Sequence, residues 1–190
     1  MKNLPTPDEV RDLFANTDPN EVWGKASDII RHVNPAYDFS FAKTTFDDVV
    51  RLFRGEYPGY GPIRTLYHNL PHTLDVFLCA VRLMHGVHLS GIPLTDNEMT
   101  IIMIAALMHD IGYAQQRGEE YGTGAQFTRS HVKRSIEFMQ HYTADQHFPP
   151  DMATLLEPII QGTDHLQPFA KISFPNERTR LLGQIVSTAD

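Results

Sequence analysis

The sequence predicts an all-α, single-domain helical bundle, and three observations carry that expectation. Apolar residues recur three and four positions apart, Pro, Gly and Asn punctuate these stretches, and strand-like alternation persists nowhere. At 190 residues the chain is long enough for one continuous core. Asp8 to Ala15 places Val10, Leu13 and Phe14 on one helical face behind Pro7. Asn20 to Val33 follows with Val22, Trp23, Ala26, Ile29 and Ile30 in a stripe, and Pro35 blocks its continuation. Thr44 or Thr45 is the expected cap of a third helix bearing Phe46, Val49, Val50 and Phe53. Gly55 to Pro62 reads as loop.

A long helix is expected from about Tyr67 to Leu89, weakly interrupted at Pro71 and ended by Gly91 and Pro93. Thr95 with Glu98 resembles a capping box for an intensely apolar helix reaching Ile111, with Gly112 as its terminator. The polar stretch Gln115 to Gln126 suits a flap or a plain surface loop. Further helices are expected over Phe127 to Tyr142, Pro150 to His165, and Asn176 to Asp190.

Composition narrows the function classes. No run approaches the roughly 20 apolar residues of a membrane span, and MKNLPTPDEV lacks the apolar core of a signal peptide. The single cysteine, Cys79, forms no intramolecular disulfide. These features suit a soluble, cytoplasmic protein with no membrane partner. The net charge of −7, with scattered basic residues, argues against a nucleic-acid partner. It would also repel a phosphorylated substrate, unless a bound divalent cation reversed the sign locally.

Ten histidines are many for this length, and their placement matters more than their number. In YHNLPHTLDV, His68, His72 and Asp75 stand four and three residues apart, which on a helix separates them by about 40° and about 60°. That puts two imidazoles and a carboxylate on one stripe. His109 and Asp110 end the most apolar helix of the chain, where burying either group without a partner costs several kcal/mol. One divalent ion satisfies both, and mixed N/O ligation suits Zn, Mn, Fe or similar metals. His32, His85, His88, His141 and His147 have no such company and read as surface or capping residues.

YHNLPHTLDV followed by AALMHDIG resembles the signature of HD-domain phosphohydrolases, and within that superfamily the cyclic-nucleotide phosphodiesterase branch. IIQGTDH at Ile159 to His165 and IVSTAD at Ile185 to Asp190 extend the likeness, which spans Tyr67 to Asp190. The resemblance implies one HD domain over residues 1–190, with N-terminal helices (about 1–60) packing on a metal-site core at 67–190. It implies His72, His109, Asp110 and Asp190 as metal ligands, with Asp110 bridging where two ions bind. His68 would protonate the leaving oxygen, and Asn69, Asp75 and Asp164 would brace the site. His131 and His165 would serve a second metal or the substrate. Arg117, Arg129, Lys133 and Arg134 are candidates for phosphate contact. The cofactor would be one or two divalent ions among Zn, Mn, Mg, Fe and Ni.

The implied activity is hydrolysis of a phosphomono- or phosphodiester of a nucleotide or related small molecule. An HD-fold di-iron oxygenase and a non-catalytic, metal-binding regulatory module are the alternatives, and a homodimer is as open as a monomer. Tyr113 stands where the phosphodiesterase signature usually has histidine, so the surroundings of the ligands must differ. The stretch supplying the glutamine and aromatic clamp for the purine in those enzymes would lie beyond Asp190. No cyclic-nucleotide preference is therefore expected.

Overall fold

The computed structural model describes residues 18–119 and 121–190. Among these it contains seven α-helices: α1 (Pro19–Val33), α2 (Ser40–Arg54), α3 (Leu70–Leu89), α4 (Asp96–Met108), α5 (His131–Asp145), α6 (Pro150–Gln161) and α7 (Glu177–Ala189). Short 3-10 turns cover Ile111–Tyr113, Ala125–Phe127 and Phe169–Lys171. No strand occurs among the described residues; one isolated bridge pairs Tyr60 with Gln116. The helix expected over Asp8 to Ala15 lies outside the described residues. No described helix is long and apolar enough to cross a membrane.

Local hydrogen bonding sets helix boundaries where spacing alone misplaced them. α2 starts at Ser40 because Asp38 accepts from the Ser40 amide at 2.9 Å, leaving Thr45 buried in mid-helix instead of at a cap. α3 starts at Leu70, three residues later than expected. Asn69 caps it by accepting the His72 amide at 3.1 Å, and Pro71 falls in the first turn, where a missing N–H costs nothing. α4 stops at Met108, short of Ile111, and the chain tightens into a 3-10 turn. α5 begins at His131 rather than Phe127, after a separate 3-10 turn. α6 ends at Gln161, short of His165.

α4 is the axis of the bundle. Every residue from Met99 to Met108 is buried, as a helix apolar on all sides demands. α2, α3, α6 and α7 pack around it, α1 packs on α3, and α5 packs on α6 and on the Ile111–Tyr113 turn. A single cluster of buried residues runs from Val22 to Val186, so all seven helices share one core.

α4 and α7, of 13 residues each, run side by side in the same direction. Near their starts, Arg178 of α7 donates to Glu98 of α4 at 2.5 and 2.9 Å and to the Pro93 carbonyl. Glu98 also completes the capping box with Thr95, accepting its amide at 2.8 Å. One carboxylate thus caps α4 and ties α7 to it, and equal length brings both C-terminal ends to the same place. Glu98→Ala should lower unfolding stability in urea by about 2 kcal/mol, from the lost cap and the lost charge-assisted pair. A loss under about 0.5 kcal/mol, the range of an ordinary surface substitution, would contradict this reading of the clasp.

Candidate metal centre

Three helix ends meet at the cluster. α4 delivers His109 and Asp110 just past its last turn, α7 delivers Asp190, and the antiparallel α3 delivers His72 from its first turn. His72 Nε2 lies 3.1 Å from Asp190 Oδ1, 3.4 Å from Asp110 Oδ2 and 3.4 Å from His109 Nε2. His109 Nε2 lies 3.3 Å from Asp110 Oδ2 and 3.6 Å from Asp190 Oδ1. An ion with bonds of about 2.1 Å sets neighbouring donors about 3.0 Å apart in octahedral and about 3.4 Å apart in tetrahedral geometry. The spacing suits a divalent cation, and two overlapping triads, His72 with His109 and Asp190 and His68 with His72 and Asp110, could hold one.

The donors are pre-set for ligation. His109, 1% exposed, gives its Nδ1–H to the Ala106 carbonyl at 2.8 Å, which turns Nε2 toward the cluster. Asp110, also 1% exposed, accepts on Oδ2 from His68 Nδ1 at 2.8 Å. His131 uses Nδ1 on the Thr128 carbonyl at 2.8 Å and aims Nε2 at the other oxygen of Asp110, 3.6 Å away. The two oxygens of Asp110 therefore face two different sets of imidazoles.

His68 does not share a helix stripe with His72. It precedes the cap of α3 and reaches Asp110 from the approaching loop. Asn69 fixes that joint, donating to the Leu66 carbonyl at 2.9 Å while capping α3. Asp75 stands one turn beyond His72 at the wall of the adjoining cleft. Burial raises its carboxyl above the usual range, against the pull of His72 and Arg82. His165 is exposed, its ring 6.5 Å from that of His131. Asp164, expected behind the ligands, instead accepts the Leu166 amide at 2.9 Å and shapes the turn after α6. Arg134 is not placed for phosphate: it donates to the Gly112 and Ala114 carbonyls at 2.8 Å and pairs with Glu119 at 2.9 Å.

Three supports of the site escaped sequence reasoning. Buried Ser135 donates to the His109 carbonyl at 2.7 Å and accepts the Gly112 amide at 2.9 Å. With His131 and Arg134 it forms an i, i+3, i+4 set on α5, the spacing that could have revealed it. Gly112 is no left-handed terminator; a Cβ there would meet the His131 carbonyl oxygen at 1.9 Å, so glycine admits α5 to the turn. Tyr113 is fully buried, with the His68 and His131 rings each 4.6 Å from its own and inclined by 19°. Those two imidazoles are only 5.7 Å apart, too close to lie on opposite faces of the phenol. Tyr113 is the floor beneath both.

The cluster's electrostatics describe a proton standing where a cation fits. Burial pushes His109 down, but Asp110 and Asp190 more than reverse this and lift it to about 10. Burial pushes both carboxyls up, yet His109, helped by His68 at Asp110 and by His72 at Asp190, holds them well below the usual range.

Comparison of the chain with protein-family models, curated proteins and solved structures finds no match. The residues of the cluster therefore carry the functional reading.

Two outcomes are expected. With His109 protonated up to about 10 in the metal-free protein, metal uptake at neutral pH must displace a proton. Manganese binding should release about one proton, and its apparent affinity should rise about tenfold per pH unit through neutrality. Calorimetry in buffers of different ionisation enthalpy measures both; a pH-independent affinity would refute the coupling. Gly112→Ala should push α5 off the turn, cost about 3 kcal/mol or more in denaturant unfolding, and weaken manganese binding at least about tenfold. Wild-type stability and metal content in this variant would show that the close approach is dispensable.

Proposed function

We propose that this chain is a divalent-metal-dependent phosphohydrolase of the HD superfamily, cleaving a phosphomono- or phosphodiester of a nucleotide or related small molecule. The observation that carries the proposal is that the Nε2 atoms of His72 and His109, 3.4 Å apart, each lie 3.1–3.6 Å from an oxygen of Asp110 and of Asp190, brought together from three helix ends. A bound divalent ion would polarise water and phosphoryl oxygens at this position. The chain's own residues supply the rest. Asp110 and Asp190 offset the cation's charge, and His72 and His109 fix its place. His68, oriented through its Nδ1–H on Asp110, keeps Nε2 for the substrate and transfers a proton to the departing ester oxygen. The Tyr113 floor limits its tilt, and Asn69 limits its travel along the loop.

Elemental analysis of the metal-replete protein, with a screen of nucleoside monophosphates, cyclic nucleotides and aryl phosphates, tests the reading. His109→Ala and Asp110→Ala should lose metal and activity together. His68→Ala should keep its metal and turn over more slowly, by about 10²- to 10⁴-fold if it is the general acid. Loss of metal from the His68 variant would overturn this division of roles.

A second reading, a di-iron oxygenase, is favoured by one observation: His131 Nε2 faces the Asp110 oxygen turned away from the first ligand set. Iron content with an oxygen-dependent product would select it. Stoichiometric metal with no turnover of any ester would select a regulatory metal-binding module.

A further inference from the structure

Beside the metal cluster lies an open cleft of about 380 Å³ whose lining includes the ligand side chains His72 and Asp190. Its volume is within the range of small-molecule sites. Leu66, Tyr67, Val76 and Ala189 form its apolar wall. The ionisable groups at it are Asp75 and the cluster's own ligands; among the described residues lining it there is no lysine or arginine. Leu66 is 100% exposed and Tyr67 64% exposed. Neither hangs on a slack segment. The Leu66 carbonyl accepts from Asn69 Nδ2, the Tyr67 carbonyl accepts the Asn69 amide at 2.8 Å, and Thr65 donates to the His68 carbonyl. The Tyr67 ring rests 4.7 Å from that of His72 and 5.1 Å from that of His68. A rigid turn thus presents two large apolar side chains to solvent at the edge of the site.

Resting on the phosphohydrolase reading, we infer that this cleft receives the alcohol portion of the substrate, and that this portion is uncharged and apolar, with an aromatic ring against Tyr67 and Leu66. Charge complementarity decides the class. A single phosphoryl group on the cluster would face the cation directly. A second phosphate or a carboxylate reaching into the cleft would meet Asp75, with no lysine or arginine among the described lining residues to pair with it; Arg82, which acts on Asp75, is not part of that lining. An apolar ring would cover Leu66 and Tyr67 and remove their surface from water. The substrate class is a phosphate ester of one phosphoryl group with a neutral aromatic or heteroaromatic alcohol, not a di- or triphosphate.

Binding of phosphonates to the manganese-loaded full chain, followed by calorimetry, reads this preference without turnover. Phenylphosphonate should bind at least about tenfold more tightly than methylphosphonate. 4-Carboxyphenylphosphonate should bind about tenfold or more weakly than phenylphosphonate. Tyr67→Ala and Leu66→Ser should each shrink the phenyl preference, with metal content unchanged, whereas Tyr67→Phe should keep it. Equal binding of methyl- and phenylphosphonate, undiminished binding of the carboxylated ligand, or failure of all three to bind would overturn the inference. The expected order without hydrolysis of any ester would sink the hydrolase reading alone. Ester hydrolysis indifferent to ring and charge would sink this inference alone.

Discussion

Two imidazole nitrogens that lie 3.4 Å from each other and 3.1–3.6 Å from oxygens of two carboxylates are a costly arrangement. Lone pairs face lone pairs, and Asp110, itself buried, carries negative charge away from water, with Asp190 at the more open edge of the cluster. Only positive charge at the centre makes it stable. Without a metal that charge is a proton on His109, which is why its imidazole rises so far against burial. A divalent cation would supply more charge at the same place and could be held by His72, His109 and Asp190 together. Two of the three helix ends act in the same sense, since the C-terminal ends of α4 and α7, where partial negative charge collects, converge there, while the N-terminal end of α3 opposes them.

The rest of the fold follows from holding those donors still. α4 is buried on all sides, so its end is anchored by the whole core. α7 is set parallel to it and clasped through Glu98 and Arg178, and equal helix lengths bring the two ends together. The turn after α4 is gripped by α5 through Ser135, Arg134 and the close approach that Gly112 permits. The loop before α3 is fixed by Asn69. The polar stretch expected as a flap or surface loop is tied down at Gln115, which donates to the Glu119 and Tyr121 carbonyls, and at Arg134 with Glu119.

The parts legible in the sequence were those written in local chemistry. The Thr95–Glu98 box, the apolar α4 and the Asn176 cap of α7 all announce themselves within a few residues. The fold class follows from such signals, and so does the candidate status of His72, His109 and Asp110, whereas Asp190 became a candidate only through the resemblance to a known family. Features depending on approach between distant segments were not legible. That Gly112 is needed for contact with α5, and not for a helix end, depends on a carbonyl 19 positions away in sequence. Arg134 reads as a surface charge until its three partners are seen. His68 was placed on the α3 stripe because periodicity runs through Asn69 without registering that an asparagine amide there competes for the helix start. The role of Tyr113 required two imidazoles to be seen over one ring.

On the proposed reading, an acidic protein acting on a phosphoester would have to place its positive charge with care. With a net charge of −7 and no lysine or arginine among the described residues lining the cleft beside the cluster, attraction for a phosphoryl group there would come chiefly from the cation. A cationic side chain would hold phosphate in the ground state and transition state alike, whereas a cation shared with the reacting oxygens acts more strongly as charge shifts toward the leaving group. Concentrating attraction at one point leaves the neighbouring wall free to be apolar, and recognition of the remaining part of the molecule then falls to shape and dehydration at Leu66 and Tyr67. On that reading the exposed apolar turn and the polar cluster would be two halves of one division of labour, joined through Asn69, which secures the first and caps the helix that carries His72.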